Sequence, residues 1–291
     1  MSGMFYPGNP EVLRRDIEQY LEEANFDAVE GDVVGMVSPH AGYVYSGPVA
    51  AYGYKALLGK VYDTVIIIAP SHREYFEEVA IQSKGGYRTP LGIVDIDEDI
   101  SEEILKESNA VNINIKAHTG EHSLEVQLPF LQTVLNSFKL VPLVMGSQDL
   151  QICEELSRCL YEVIKKSSKH FLIVGSSDLS HYYPYDKAVK IDNIIVKHLE
   201  KFNIQGLAED FNRNRCEACG FGTIITTMKI SERCGATASR VLKYANSGDV
   251  SGDKSGVVGY VSGVFYKPAE NNPNFKSEMK SRRQGRGDIG V

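Results

Sequence analysis

The sequence predicts an α/β fold: a single domain with a central, mostly parallel or mixed sheet flanked by helices. Four short apolar runs read as buried strands, and they open the segments 33–43, 64–74, 139–149 and 171–181. Segments with helical spacing of apolar residues separate them, and this alternation is typical of a parallel or mixed sheet. No repeat or linker divides residues 1–267, so one domain is expected.

The remaining elements follow from local signals. Asn9 and Pro10 are typical of a helix start, and Asp97 or Asp99 is a candidate cap for a later helix. The segment 79–96 contains Gly-Gly and Thr-Pro breaks and predicts a hairpin-like insertion. Helices are predicted at about 10–24, from Pro48 to about Leu58, at 99–107, between the third and fourth runs, and at about 186–199 and 220–230; the last strands are predicted at 237–245 and 256–266.

Composition excludes several function classes. The chain has 31 basic and 38 acidic residues, a formal charge of −7, which argues against a nucleic-acid partner. No run approaches the ~18 to 20 apolar residues of a membrane span, and no signal peptide is evident. Five cysteines in a chain of 291 residues fit a reducing cytoplasm. Residues 268–291 are basic and poor in apolar residues, and they predict a disordered tail.

Polar side chains follow all four apolar runs. The carboxyl ends of strands in an open α/β sheet are where ligands bind, so these side chains are expected at one rim. Any single one could simply cap a helix or turn, but three of the four runs lead into a histidine. Two imidazoles at one rim suggest a metal site or an acid/base pair. The residues are His40, Ser71, His72, Gln148, Asp149, Ser176, Ser177, Asp178 and His181.

The segment His118–His122 matches the H-x-x-E-H zinc-protease pattern literally. That pattern requires one helix, and Gly120 interrupts it, so we interpret the match as accidental. Glu121 and His122 are then expected in the loop before a helix, facing the rim. His118 is expected to be structural.

The pair Cys216 and Cys219 forms one C-x-x-C motif, which leaves three interpretations open. A structural zinc site lacks two further ligands nearby, and a thioredoxin-like pair would follow an earlier strand. The third interpretation is that one thiolate, at the start of the following helix, completes a site with His40 and His72. Ser177, Asp178 and His181 suggest a hydrolase, but a G-x-S-x-G elbow is absent, as are nucleotide-binding glycine motifs.

The order of several longer motifs resembles the Memo family, named for a human mediator of cell motility and including archaeal and bacterial relatives. The resemblance runs from about residue 3 to 267. The motifs are GMFYPG (3–8), SPHAGYVYSG (38–47), APSHRE (69–74), EHSLEVQLPFLQ (121–132), VPLVMG (141–146), SSDLSHYYPYDKA (176–188), ACGFG (218–222) and YVSGVFY (260–266).

The resemblance implies a fold similar to that of class III extradiol dioxygenases, which hold iron(II) with two histidines and a glutamate. His40 and His72 match the two histidines, and Cys219 matches a cysteine that takes the place of the carboxylate; Glu217 is an alternative acidic ligand. Asp178, His181 and His122 match polar residues of the same pocket. By analogy His181 is the general acid/base. Iron(II) is expected, and a sulfur ligand also favours copper or zinc.

Two functions therefore follow as expectations. One is a non-haem, dioxygenase-like redox protein that acts on an unknown small molecule or peptide. The other is a catalytically silent module that binds a peptide or protein in the same pocket, lined by tyrosines such as Tyr45 and Tyr182. Family association further implies a radical-SAM protein and a small partner protein. No nucleic-acid or membrane partner is expected, and the sequence does not predict an oligomeric state.

Overall fold

The computed structural model of the protein describes residues 1–269, and all but the first two residues of the predicted tail at 268–291 lie outside that range. The strands are β1 (Gly31–Ser38), β2 (Thr64–Pro70), β3 (Val79–Ile81), β4 (Gly86–Thr89), β5 (Gly92–Asp95), β6 (Val111–Ile113), β7 (Lys139–Met145), β8 (Phe171–Ser176), β9 (His181–Tyr183), β10 (Ala238–Asn246) and β11 (Val257–Pro268). The helices are α1 (Pro10–Glu23), α2 (Tyr43–Lys55), α3 (Glu98–Glu107), α4 (Ile115–His118), α5 (His122–Glu125), α6 (Leu128–Val134), α7 (Leu150–Lys166), α8 (Tyr185–Glu200), α9 (Ile204–Asn212), α10 (Phe221–Arg233) and α11 (Ser247–Ser251).

The main sheet is mixed, as the sequence predicts. Its order is β10-β11-β1-β8-β2-β7-β3-β6, and β9 pairs with β11. The central strands β1, β8, β2 and β7 run parallel, while β11 and β3 join them antiparallel. Because the four apolar runs form these central strands, their carboxyl ends share one edge of the sheet.

Helices cover both faces of this sheet. Alternate residues of β2 point to opposite faces, so Val65 and Ile67 pack into one core and Ile66 and Ile68 into the other. The first core includes residues of α1, α2 and α6, and the second includes residues of α7, α8 and α10. Burial on both faces explains why the central strands read as continuous apolar runs.

Local signals predict most element boundaries. The Asn9 side chain accepts hydrogen bonds from the backbone N–H groups of Glu11 and Val12, and Asp97 caps α3. The hairpin predicted within 79–96 is β4 paired with β5, whereas β3 joins the main sheet.

The predicted start of the second helix at Pro48 is wrong, because α2 begins at Tyr43 and contains Pro48. Pro48 lacks the N–H group that would donate to the carbonyl of Val44, four residues earlier in the helix. The helix tolerates this loss because Val44 is exposed to solvent. The short helices α9 and α11 were also not predicted.

Candidate metal centre

The site lies at the carboxyl ends of β1 and β2. His40 follows β1 by two residues, and His72 follows β2 by two residues. Strand β8 lies between β1 and β2 and ends at Ser176. These strands therefore deliver polar groups to one rim of the sheet, as predicted.

Three histidines meet at this rim. His40, His72 and His122 each present a ring nitrogen, and the three nitrogens lie within 4.8 Å of one another. The ring centroids are 5.2 Å apart for His40 and His72, and 4.6 Å apart for His72 and His122. His40 is buried, whereas His72 has 30% of its side chain exposed, so one side of the cluster faces solvent.

Glu121 orients two of these imidazoles. Its Oε1 atom lies 3.0 Å from Nδ1 of His72 and 3.2 Å from Nδ1 of His122, and the backbone N–H of His72 donates to Oε2. Burial opposes ionisation of Glu121, but the hydrogen bonds from His122 and His72 outweigh it and hold its pKa below the ordinary range. An ionised carboxylate only accepts, so the two Nδ1 atoms that face it carry a proton, and Nε2 is the nitrogen of each ring that is left to bind a metal ion.

Ser176 sets the same tautomer in His40. The Ser176 hydroxyl is 2.6 Å from the carbonyl of Ser123, to which it donates, and it accepts from Nε2 of Gln127 at 2.7 Å. Nδ1 of His40 lies 2.8 Å from the same oxygen and therefore donates to it. In all three imidazoles Nε2 is thus the nitrogen that is left to bind a metal ion.

Tyr54 and Phe5 support this arrangement through contacts with Gln127 and His122. The Tyr54 hydroxyl donates to Oε1 of Gln127, which holds the amide that contacts Ser176. The Phe5 ring stacks on His122 with 4.5 Å between ring centroids. No local pattern marks Gln127 or Phe5 as part of the site, although both lie within the longer motifs of the resemblance.

Burial and the two neighbouring imidazoles keep His40 neutral. Burial lowers the pKa of His40 well below its ordinary value, and the neighbouring charges of His72 and His122 lower it further. Neutral imidazoles are the protonation state that metal coordination requires. The donor set therefore fits a divalent or monovalent transition-metal ion.

Among residues 1–269, the side chains grouped closely enough to hold a metal ion are those of His40, His72 and His122. Cys219 lies beside His40 but is not part of this group. Its Sγ atom is 3.2 Å from Nε2 of His40 and accepts from the backbone N–H of Asp178 at 3.3 Å. Burial raises the pKa of the Cys219 thiol, and the charge of Asp178 adds to this effect. Without a cation the sulfur is therefore a neutral thiol that donates a hydrogen bond to His40. The amino end of α10, which favours a thiolate, does not outweigh the effect of burial. The role of Cys219 as the third ligand stays a prediction.

Asp178 and His181 follow β8, and Asp178 contacts Cys219. Oδ1 of Asp178 accepts from the backbone N–H of His40 at 2.8 Å, and burial raises the pKa of this carboxyl. His181 begins β9, and its backbone N–H donates to Oε1 of Glu217. Glu217 also accepts from the hydroxyl of Tyr183, so it braces β9.

The sequence predicts that the H-x-x-E-H segment is interrupted rather than a single helix, and the structure confirms this. Gly120 has φ +72° and separates α4 from α5, with Glu121 capping α5. His118 is buried, its Nδ1 lies 2.7 Å from the hydroxyl of Tyr87, and burial lowers its pKa to about 4. The protease interpretation therefore has no structural support within the described residues.

The remaining rim residues have local roles. Gln148 donates to the carbonyl of Cys219 and accepts from the N–H of Gly222, so it holds the turn before α10. Asp149 contacts the hydroxyl of Ser147 and is exposed. Cys216 is a free, buried thiol in the core, and Cys219 is also free. Within residues 1–269, every helix falls short of the length or hydropathy needed to cross a bilayer.

Comparison with known proteins identifies the family. The profile of the family described as Memo-like protein matches residues 1–264. A MEMO1 family protein of Methanobrevibacter smithii is 38% identical over 91% of this chain and 98% of its own length. A MEMO1 family protein of Sulfolobus acidocaldarius is 39% identical over 91% of this chain and 97% of its own length. These values establish that the chain belongs to the Memo family.

Proposed function

We propose that the protein is a non-haem metal protein with iron- or copper-dependent redox activity on a substrate that enters from the His72 side. The observation that carries the proposal is the three-histidine cluster, in which one ring nitrogen of each imidazole lies within 4.8 Å of the others and the Nδ1 atoms contact Ser176 or Glu121. His40 and His72 are the two ligands common to every version of the proposal. His122 or Cys219 supplies the third.

The protein's own groups would bind substrate and move protons around the ion. A bound iron or copper ion would supply electron transfer and activation of small molecules. His181 would act as the general acid/base, and Asp178 would hold the His40 backbone and the Cys219 turn in place. The exposed side of His72 leaves room for a substrate atom next to the cluster.

Metal analysis after anaerobic purification tests the proposal. Wild type is expected to retain iron or copper, and the double variant His40→Ala/His72→Ala is expected to lose it. His122→Ala and Cys219→Ala, measured separately, identify the third ligand. Equal metal content in wild type and the double variant would refute the proposal.

A catalytically silent binding module is the second candidate. Tyr182 favours it: the residue is 78% exposed and its ring centroid lies 5.7 Å from that of His181, and a large aromatic group in solvent is suited to contact a peptide. Oxygen uptake with a panel of catechols and thiols separates the two: turnover lost in His181→Ala supports the enzyme. Absence of turnover with metal-loaded protein, together with peptide binding that His40→Ala leaves intact, supports the module.

The cellular context is also a proposal. All five cysteines are free, which supports a reducing cytoplasm. Association with a radical-SAM protein and a small partner protein would be tested by co-purification with the metal-loaded chain.

A further inference from the structure

A cavity lies at the edge of the sheet opposite to the histidine cluster. It has a volume of about 440 Å³ and is bounded by the amino ends of β1 and β8, by the segment that precedes β2, by the carboxyl end of β11 and by the last turns of α7 and α10. A volume in this range suits one small ligand. The cavity shares no residue with the candidate metal centre.

The walls of this cavity are apolar. Val34, Ile164 and Phe171 line it, and the rim includes Val61, which is 71% exposed. An apolar side chain held in solvent at the mouth of a cavity gains from contact with a ligand, because that contact removes its surface from water.

The charged groups of the lining are mostly cations. Lys165, Lys169, Arg233 and Lys267 line the cavity, and Asp32 is the one carboxylate among the lining residues. Three of the cations already have acidic partners outside the lining: Lys165 pairs with Glu162, Lys169 with Asp97, and Arg233 with Glu154.

Lys267 differs from these three. No carboxylate of residues 1–269 lies within 4.0 Å of its ammonium group. Its side chain crosses Gly235, where a Cβ atom would lie 3.2 Å from Cε of Lys267. A larger residue at position 235 would therefore push the lysine stem aside, and glycine leaves it room to lie over the cavity.

Two other occupants are less favoured. The ends of α7 and α10 carry partial negative charge, which would suit a cation, but the ammonium group of Lys267, which has no acidic partner within 4.0 Å in residues 1–269, places a full positive charge there. The tail of this chain begins near Lys267, yet from Lys276 onward it has five basic and two acidic residues, so its charge has the wrong sign.

We propose that this cavity binds a small organic anion, with a carboxylate or phosphate on Lys267 and an apolar body against Val34, Ile164 and Phe171. The site is independent of the proposed metal chemistry. A charged hydrogen bond to the anion makes Lys267 the residue on which affinity depends most.

Methyl-region NMR spectra of the full-length protein test this proposal with four probes: benzoate, phenyl phosphate, benzamide and benzylamine. Benzoate or phenyl phosphate is expected to give saturable shifts of the Val61 and Ile164 methyl signals, and the stronger of the two identifies the anionic group. Lys267→Gln is expected to weaken this binding about tenfold, the loss of one charged hydrogen bond.

Two further variants keep the test decisive. Val61→Asp places a negative charge at the rim and is expected to weaken anion binding, while Lys166→Gln removes a neighbouring lysine that pairs with Glu107 outside the cavity and is expected to change nothing. Equal binding of benzamide, preference for benzylamine, or no shifts with either anion would overturn the proposal.

Discussion

The carboxylate of Glu121 should control metal affinity without touching the metal. It accepts hydrogen bonds from the Nδ1 atoms of both His72 and His122, at 3.0 and 3.2 Å. The variant Glu121→Gln keeps the shape of the side chain and removes the charge. Loss of such a partner costs metal affinity about 10- to 100-fold, or roughly 1.4 to 2.7 kcal/mol. Because Glu121 serves two imidazoles, the upper end of this range is expected.

Chelator competition under anaerobic conditions measures this effect for iron(II) and copper(I) separately. Glu125→Gln is the matched control: Glu125 lies one helical turn away in α5 and contacts the Tyr6 hydroxyl rather than an imidazole. Thermal unfolding of both variants checks that the fold is retained. Metal affinity of Glu121→Gln within twofold of wild type, or an equal loss in Glu125→Gln, would refute the role assigned to Glu121.

Three other perturbations follow from the same geometry. Ser176→Ala removes the acceptor of the His40 Nδ1 proton at 2.8 Å and should weaken metal binding about tenfold in chelator competition; unchanged affinity would contradict the assigned tautomer. Gly120→Ala should lower the free energy of unfolding in urea by about 1 kcal/mol, because φ is +72° there. Burial opposes ionisation of Asp97, but hydrogen bonds from Lys169 hold its pKa below 3.8. The pair therefore stabilises the fold above pH 3.8, and this stabilisation is lost as the pH falls through the lower pKa of the folded state. Asp97→Asn should cost about 2 kcal/mol at neutral pH and show a weaker acid dependence in urea titrations.

The sequence predicts the edge of the sheet where the site lies but not its complete membership. His40 and His72 are predictable because each follows an uninterrupted apolar run, and parallel strands place their carboxyl ends together. Ser176 is predictable at the rim for the same reason. Its contact with His40 is not, because it depends on β8 lying directly between β1 and β2 in the sheet.

His122 shows where local reasoning ends. Gly120 correctly indicates that the H-x-x-E-H segment is not one helix, and this removes the only local argument for a metal at that segment. The imidazole reaches the cluster through a tertiary contact instead, since Glu121 bridges it to His72, 50 positions earlier in the sequence. Phe5 likewise comes from the N-terminal segment, for which the sequence offers no element.

The choice of third ligand links the geometry to the chemistry. Three imidazoles form a donor set that suits zinc, copper and iron alike, and they carry no charge to offset that of the ion. A thiolate in place of one imidazole neutralises one positive charge and favours the softer copper(I). Cys219 lies 3.2 Å from His40 with its proton retained by burial, so a bound cation has to displace that proton before sulfur can coordinate. Coordination by Cys219 should therefore release one proton per metal ion bound that the variant Cys219→Ala does not release, and this difference in proton release distinguishes thiolate coordination from coordination by His122.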